Sequence, residues 1–205
     1  MRMRNENLFL ESFIKHYFAE GVDEIHILDD NLTQPFPDIV NDERAFIYEA
    51  THFKSHHEKL IDAQNMYEHV LRDKTEWFMF IDADEFITTR RNSDKTIREE
   101  LETTFKDADL IKIPWIMFGS NGQDKNPKQI LKDTTWRWNH DEPHPHPEEA
   151  MKIWPHRKCK LDKIEVKSIF KTKAFSKLTT HCPSNPTYKI NIVDGIDNTD
   201  NYAGV

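Results

Sequence analysis

An apolar run that ends in closely spaced acids constrains this chain more than any other feature. Residues 77–89 read WFMFIDADEFITT, in which positions 77–81 are all apolar and Asp82, Asp84 and Glu85 follow directly. A short apolar run bounded by polar residues is typical of a buried strand. Carboxylates at the end of such a strand repel one another and lose hydration, so their presence requires a physical reason.

A divalent cation would provide that reason. Mg²⁺ and Mn²⁺ prefer oxygen ligands and usually bind one or two carboxylates together with phosphate oxygens and water. In a D-x-D pair at a strand end both carboxylates can approach one ion, which makes Asp82 and Asp84 candidate metal ligands. The simpler alternative is a solvated turn whose acids cap the next helix.

Helical and strand patterns alternate along the chain. Apolar spacing predicts helices at Asn7–Glu20, with Gly21 as a C-terminal cap, at His57–Leu71 and at Thr96–Phe105. Residues 77–81 are predicted as a central strand, and further strands are predicted at Glu24–Leu28, Ala45–Tyr48, Leu110–Trp115, Lys167–Thr172 and Tyr188–Val193. This alternation predicts one α/β domain, Rossmann-like, with a mostly parallel central sheet.

A second predicted strand also ends in acids, at Asp29 and Asp30. Ligands of open α/β sheets bind beyond the carboxyl ends of the strands. We therefore expect both acid clusters at the same edge of the sheet. The stretch 119–155 is rich in Asn, Asp, His, Pro and Trp with little periodicity, and it is predicted to be an irregular loop region laid over that domain.

Composition narrows the functional class. The 205 residues carry a net charge of −8, which argues against a nucleic-acid binder with a generally basic surface. No apolar run approaches the roughly 18 residues of a membrane span, and the N-terminal residues lack a signal-peptide pattern. The cysteines, Cys159 and Cys182, form neither a metal-type pair nor a disulfide framework. We expect a cytoplasmic protein with free thiols.

Four motifs occur in an order that resembles one enzyme group. They are RNENLFLESFIKHYFAEGVDEIHILDDN (4–31), WFMFIDADEF (77–86), IKIPWIMFGSNG (111–122) and KSIFKTKAF followed by THCP (167–183). Together they resemble a GT-A-type glycosyltransferase of the glycosyltransferase-2-like group related to family 92. The small enzymes of large algal, chlorella-type viruses are similar, which would place the protein in a host cytoplasm.

The resemblance implies one domain over residues 1–205, with a nucleotide-binding part at about 1–110 and an acceptor-side, metal-completing part at about 111–205. It implies transfer of a hexosyl or deoxyhexosyl group from a nucleoside diphosphate donor, expected to be uridine diphosphate, to a glycan or glycoprotein acceptor. Mn²⁺ or Mg²⁺ would be the cofactor. A longer multidomain polypeptide is one expected context for the domain.

The resemblance also implies roles for particular residues. The metal ligands would be Asp82, Asp84 and His181. The donor would be bound by Arg4, Asn5, Glu6, Asp29 or Asp30, Asp82, Trp115, Gly119 and Ser120. For an inverting reaction a carboxylate must remove the acceptor proton, and the loop region offers Asp124, Asp141 and Glu142 as candidate catalytic bases.

The chain departs from the family pattern at two places. Only three residues precede Arg4, so the first strand must be very short, and Gln123-Asp124 stands where a small residue and a histidine are usual. Simpler interpretations also remain. Glu6 is suited to the first turn of a helix, His181 is a lone histidine before Cys-Pro, and the histidines of 140–149 fit a solvated loop.

Two other functional classes remain open. A haloacid-dehalogenase-type phosphatase also places D-x-D after a buried strand, although its motif requires Thr or Val where Phe86 stands. A non-catalytic module that binds a nucleotide sugar is the second alternative. Phosphatase activity on an aryl phosphate would identify the first class, and the absence of metal-dependent donor hydrolysis would identify the second.

Overall fold

The computed structural model describes residues 1–4, 6–30, 36–50, 60–89, 94–120, 122–127, 129–137 and 166–194. Within these ranges, helices and strands alternate over the first half, as the sequence predicts. The strands are β1 (Arg2–Met3), β2 (Ile25–Asp29), β3 (Ala45–Glu49), β4 (Trp77–Met79), β5 (Leu110–Pro114), β6 (Val166–Lys171), β7 (Phe175–Lys177), β8 (Ser184–Pro186) and β9 (Ile192–Asp194).

The helices are α1 (Asn7–Ala19), α2 (Leu60–Met66), α3 (Ile97–Glu102) and α4 (Ile130–Asp133). A π-helical turn, Tyr67–Leu71, continues α2, and 3₁₀ turns lie at Asp38–Asn41 and Thr172–Ala174. None of the helices in the described ranges is long and apolar enough to cross a membrane.

Sequence signals explain where α1 ends and where α3 begins. Gly21 follows α1 with φ of 87°, a left-handed conformation that favours glycine. The amide of Val22 donates to Tyr17 O at 2.9 Å and that of Gly21 donates to Phe18 O at 3.2 Å, so the last carbonyls of α1 are satisfied. At α3, Thr96 and Glu99 form a reciprocal capping box.

Strand pairing in the described residues gives one parallel sheet, one mixed sheet and a two-stranded antiparallel sheet of β7 and β8. Strands β1, β2 and β3 pair in parallel, in that order. The mixed sheet has the order β4-β6-β5-β9, in which β6 is antiparallel to both neighbours and β5 is parallel to β9. The expected mostly parallel sheet is therefore correct for the first half and wrong for the second, where the chain returns antiparallel through β6.

Each sheet is covered on both faces. Ile27 belongs to a buried cluster with α1 and α3, whereas its neighbour Leu28 belongs to a second cluster with α2. Ile169 and Phe170 of β6 divide between the same two clusters. Because neighbouring strand residues point to opposite faces, the helices sandwich the sheets as in α/β proteins.

Predicted boundaries mostly agree with the structure. The helix at 7–20, the strand at 45–48 and the strand at 110–115 are confirmed to within a residue. The very short first strand is also confirmed, since β1 has two residues. Strand β4 lies at an edge of its sheet among the described strands, so its prediction as a central strand is wrong. The segment 188–193 becomes a strand only from Ile192.

Candidate functional site at the carboxyl end of β4

Acids surround the point where β4 ends. The chain leaves β4 at Met79 and turns at Asp82, where the amide of Glu85 donates to Asp82 O at 3.2 Å. We call Glu6, Asp82, Asp84 and Glu85 the acid rim. Asp82 keeps 48% of its side chain exposed and Asp84 is also exposed. This part of the predicted site is thus open to ligands from solvent.

A buried lysine contacts the acid rim from β6. Lys167 Nζ lies 2.9 Å from Asp82 Oδ2 and 3.2 Å from Glu85 Oε2, with only 3% of its side chain exposed. The same Glu85 oxygen accepts a hydrogen bond from the Asp82 amide at 2.9 Å. Lys167 and Glu85 together fix the turn that carries Asp82.

Proton affinities in the acid rim reflect desolvation and like charge. Burial raises the pKa of Glu85 to about 7, against the opposing effect of the Lys167 ammonium. Desolvation raises the pKa of Asp84, and the charge of Asp82 adds to the increase. Burial likewise raises the pKa of Glu6, with smaller contributions from Asp84 and Asp82. Glu6, the N-cap residue of α1, therefore interacts electrostatically with the D-x-D pair.

Helix α1 also holds the segment that follows the D-x-D pair. The hydroxyl of Tyr17, which is fully buried, donates to Glu85 O at 2.9 Å and accepts from the Ile87 amide at 3.0 Å. His16 Nε2 lies 2.7 Å from Ile87 O. These contacts satisfy backbone groups that would otherwise be buried without partners. The turn at Asp82–Glu85 is consequently anchored on both sides.

The acids at the end of β2 have a different environment. Asp30 is 6% exposed and its Oδ2 lies 3.0 Å from Arg2 Nη2, an ion pair that joins β1 to the end of β2. Asp29 is half-buried as the last residue of β2. Asp29 and Asp30 are the alternative predicted contacts to the donor. Asp30 forms an internal ion pair, whereas Asp29 is the more exposed of the two.

His181 reaches the same end of the second sheet. Its Nδ1 lies 3.1 Å from Val166 O, next to Lys167, and Ser168 Oγ donates to His181 O. Its ring lies 5.6 Å from that of Trp115. Among the described residues, however, no three His, Cys, Asp or Glu side chains are grouped so as to hold a metal ion. The set of Asp82, Asp84 and His181 thus stays a prediction.

The donor atoms of the acid rim suit a hard divalent cation. Asp82 and Asp84 offer exposed carboxylate oxygens; desolvation raises the pKa of Asp84, and repulsion by the charge of Asp82 adds to the increase. A cation would relieve that repulsion, and oxygen ligands are those that Mg²⁺ and Mn²⁺ prefer. The residues present therefore fit such an ion through Asp82 and Asp84.

Trp115 contributes a second ligand-facing feature. It follows β5, and its indole Nε1 is buried without a hydrogen-bond partner among the described residues. Buried donors are nearly always paired in native proteins, so an unpaired one at a candidate site suggests a ligand acceptor.

The remaining predicted contacts lie in a separate hydrogen-bonded segment. The amide of Gly119 donates to Trp136 O at 2.8 Å, and Ser120 O accepts from the Gln123 amide at 3.0 Å. Ser120 and Asp124 are exposed, as is Arg4 near the acid rim. Asn5, Asp141 and Glu142 lie outside the described residues, as do His140, His144 and His146.

A cavity of about 670 Å³ is lined by residues of β2 and β4, among them Ile25 and Trp77. Its lining continues to Ile81, just before Asp82, but includes no residue of the acid rim. Ligands of open α/β sheets bind beyond the carboxyl ends of the strands, where the acid rim lies. We therefore place the candidate site at the acid rim and not in this cavity.

The sequence did not single out two residues of the site. The sequence pattern places Tyr17 only within the predicted helix at 7–20 and Lys167 only at the start of the predicted strand at 167–172. The signal for Lys167 was present, because a lysine inside the apolar strand VKSIF is seldom buried without a charged partner. The hydroxyl of Tyr17 gives no sequence signal, since its partners are backbone atoms.

The fold is that of an α/β protein, and its candidate ligand site lies at the carboxyl end of β4. The model of glycosyltransferase family 92 matches residues 7–195. The chain therefore belongs to glycosyltransferase family 92. No match was found among curated proteins.

Proposed function

We propose that the protein is a metal-dependent glycosyltransferase with a GT-A-like fold that uses a uridine diphosphate sugar. The donor would supply a hexosyl or deoxyhexosyl group, and a glycan or glycoprotein would accept it. The acid rim carries this proposal, because it places exposed Asp82 and Asp84 at the carboxyl end of a strand in a chain of family 92.

The binding roles follow from the exposed groups. Asp82 and Asp84 would hold Mn²⁺ or Mg²⁺, and His181 would be the third protein ligand, as the family resemblance implies. Arg4, Asn5, Glu6 and Asp29 would contact the nucleoside part of the donor. Trp115, Gly119 and Ser120 would contact the sugar or diphosphate, with the indole N–H of Trp115, which has no partner among the described residues, as a donor to an oxygen.

The chemistry requires charge stabilisation on the leaving diphosphate. When bound, the cation supplies that stabilisation as a Lewis acid. The protein fixes the ligands for it: Glu85 accepts a hydrogen bond from the Asp82 amide, and Tyr17 holds the backbone at Glu85 and Ile87. If the configuration inverts, one of Asp124, Asp141 and Glu142 would accept the proton of the acceptor hydroxyl.

Membership of a glycosyltransferase family favours this function over a phosphatase. A non-catalytic module that binds a nucleotide sugar would keep the same acid rim and lose turnover, so a binding measurement alone does not separate it from an enzyme. Metal-dependent hydrolysis of the donor in the absence of acceptor separates them.

Calorimetry with uridine, guanosine, adenosine and cytidine diphosphates, with and without Mn²⁺, tests the donor class. We expect uridine diphosphate to bind tightest, to need Mn²⁺ and to raise the melting temperature, since a ligand of the folded state stabilises it. Equal affinity in excess EDTA would remove the metal from the proposal. A preference for another base would change the donor and leave the site in place.

A further inference from the structure

Lys167 is a buried charge that the proposed chemistry does not yet use. Only 3% of its side chain is exposed, and its ammonium lies 2.9 Å from Asp82 Oδ2 and 3.2 Å from Glu85 Oε2. Lysines are rarely buried unless they are paired. Here the partner carboxylates belong to the turn that carries the D-x-D pair.

Strand geometry explains how a residue so far along the chain reaches Asp82. Strand β6 runs antiparallel to β4 with Met79 opposite Ile169, so residues before Ile169 lie beside those after Met79. On its other side β6 pairs with β5, with Lys167 opposite Ile113. The backbone of Lys167 is thus held by a neighbouring strand, and its side chain extends to the end of β4.

We propose that Lys167 is a positioning residue that fixes Asp82 and sets the charge of the acid rim, so that the rim binds a divalent cation weakly alone and strongly together with a diphosphate. This inference rests on the proposed function. Lys167 engages Oδ2 of Asp82 and leaves Oδ1 outside this contact, which restricts how the carboxylate meets an ion.

Charge predicts opposite effects on the two ligands. The Lys167 ammonium repels a metal cation and offsets the carboxylates that would repel a diphosphate. Removing the ammonium should strengthen binding of the cation alone and weaken binding of the nucleotide. A residue that only supported the fold would change both affinities in the same direction, because loss of geometry harms every ligand.

The test is calorimetry on Lys167→Met at about pH 8, where carboxylates are ionised. We expect the affinity for Mn²⁺ alone to rise about tenfold and the affinity for uridine diphosphate at saturating Mn²⁺ to fall about tenfold, within the range seen for groups that support metal ligands. Lys167→Arg keeps the positive charge, and we expect both affinities to stay close to those of the wild type.

Glu85→Gln provides a second test, which changes the charge of the acid rim in the opposite direction and does not depend on whether Lys167→Met folds. Glutamine can still accept the hydrogen bond from the Asp82 amide, which Glu85 accepts at 2.9 Å. Because the acid rim becomes less negative, Mn²⁺ alone should bind more weakly and uridine diphosphate should bind as tightly as before or more tightly.

The outcomes separate this inference from the proposed function. A wild-type chain that binds no uridine diphosphate with Mn²⁺ overturns the proposed function and the role of Lys167 with it. A wild-type chain that binds both ligands, with variants whose two affinities fall together or stay unchanged, overturns the role of Lys167 alone.

Discussion

Two strands of this protein end in acids, and the structure uses them differently. At the end of β2, Asp30 is 6% exposed and paired with Arg2. At the end of β4, Asp82 is paired with Lys167 but keeps 48% of its side chain exposed. Both acids follow an apolar strand, mostly buried in β2 and partly buried in β4, and both contact a cation from another strand. The difference lies in what remains accessible after the pair has formed.

Accessibility decides which acid can serve a ligand. A buried pair holds the fold and is closed to ligands from solvent, whereas an exposed carboxylate that is fixed on one side can still bind through its other oxygen. We therefore interpret the β2 pair as structural and keep the β4 acids as the proposed ligands. Variants on each side can break that division.

The largest effect is expected for Asp30→Ala. The change removes the carboxylate whose Oδ2 lies 3.0 Å from Arg2 Nη2. The side chain of Arg2 is 10% exposed, and Asp62 Oδ2 lies farther away, 4.0 Å from Arg2 Nη1. Loss of one partner from a buried pair should lower the free energy of unfolding by about 3 kcal/mol. Urea unfolding without metal measures it. Asp23→Ala, which breaks an exposed pair with Arg98, is the control and should change stability by less than about 1 kcal/mol.

A decrease for Asp30→Ala no larger than that of the control would show that the β2 acids are not structural. Both strand ends would then be equally available for ligands, and the contrast between them would disappear.

The second effect concerns Tyr17→Phe, which tests the support behind the β4 acids. The variant leaves Glu85 O and the Ile87 amide without the hydroxyl that bonds them at 2.9 and 3.0 Å. Unsatisfied buried groups should lower the free energy of unfolding by about 2 kcal/mol. Tyr188→Phe removes an exposed hydroxyl that bonds Asp109 and should have a much smaller effect. Equal losses in the two variants would contradict the anchoring role of Tyr17.

The third effect separates function from stability at Asp84. Asp84→Asn keeps the shape of an exposed side chain and removes one of the charges that raise the pKa of Glu6. We expect stability to stay unchanged or rise slightly, and metal-dependent donor turnover to fall at least about tenfold, or about 1.4 kcal/mol in the barrier. The exposed Asp73, which precedes β4, provides the control Asp73→Asn.

Full turnover in Asp84→Asn would exclude Asp84 as a ligand. Loss of folding would instead give it a structural role and place it beside Asp30.

Much of the fold follows from local sequence signals. The spacing of apolar residues predicts α1, and Gly21 predicts where that helix ends. The alternation of polar and apolar residues at 24–28 predicts β2 to within a residue. The signals that place Asp82 and Asp84 after a strand, and exposed at a turn, are likewise local. These features depend on residues close in the chain, which the sequence presents together.

Long-range pairing was less accessible to prediction. Alternating helices and strands suggest parallel neighbours, but β6 enters between β4 and β5 in the opposite direction from far along the chain. The Arg2–Asp30 and Lys167–Asp82 pairs depend on the same register, so no local pattern distinguishes the buried acid from the exposed one. Tertiary register therefore decides which strand end can bind a ligand.

The smallest effect should come from His26, which lies on β2 with its ring stacked 4.9 Å from Phe46 and 5.7 Å from Tyr48. Burial lowers the pKa of His26, although Glu24 Oε2 lies 3.0 Å from its Nε2 and acts in the opposite direction. The unfolded state, with a pKa of about 6.5, therefore binds a proton before the folded state as the pH falls. The stability that neutral His26 provides is present above about pH 6.5 and is lost as the pH decreases below it.

Unfolding is measured without metal at about pH 7.5 and pH 5.5. The free energy of unfolding should decrease between these pH values in the wild type, and the decrease should be smaller in His26→Gln by less than about 1 kcal/mol. Exposed His69 supplies the control, since His69→Gln should follow the wild type.

Added Mn²⁺ should leave this difference between the wild type and His26→Gln unchanged, because His26 lies on β2 and the proposed ligands lie beyond β4. An equal decrease in all the variants would show that β2 contributes no pH dependence. A difference that depends on Mn²⁺ would show that the two strands are coupled, and the division between a structural and a functional strand end would then have to be abandoned.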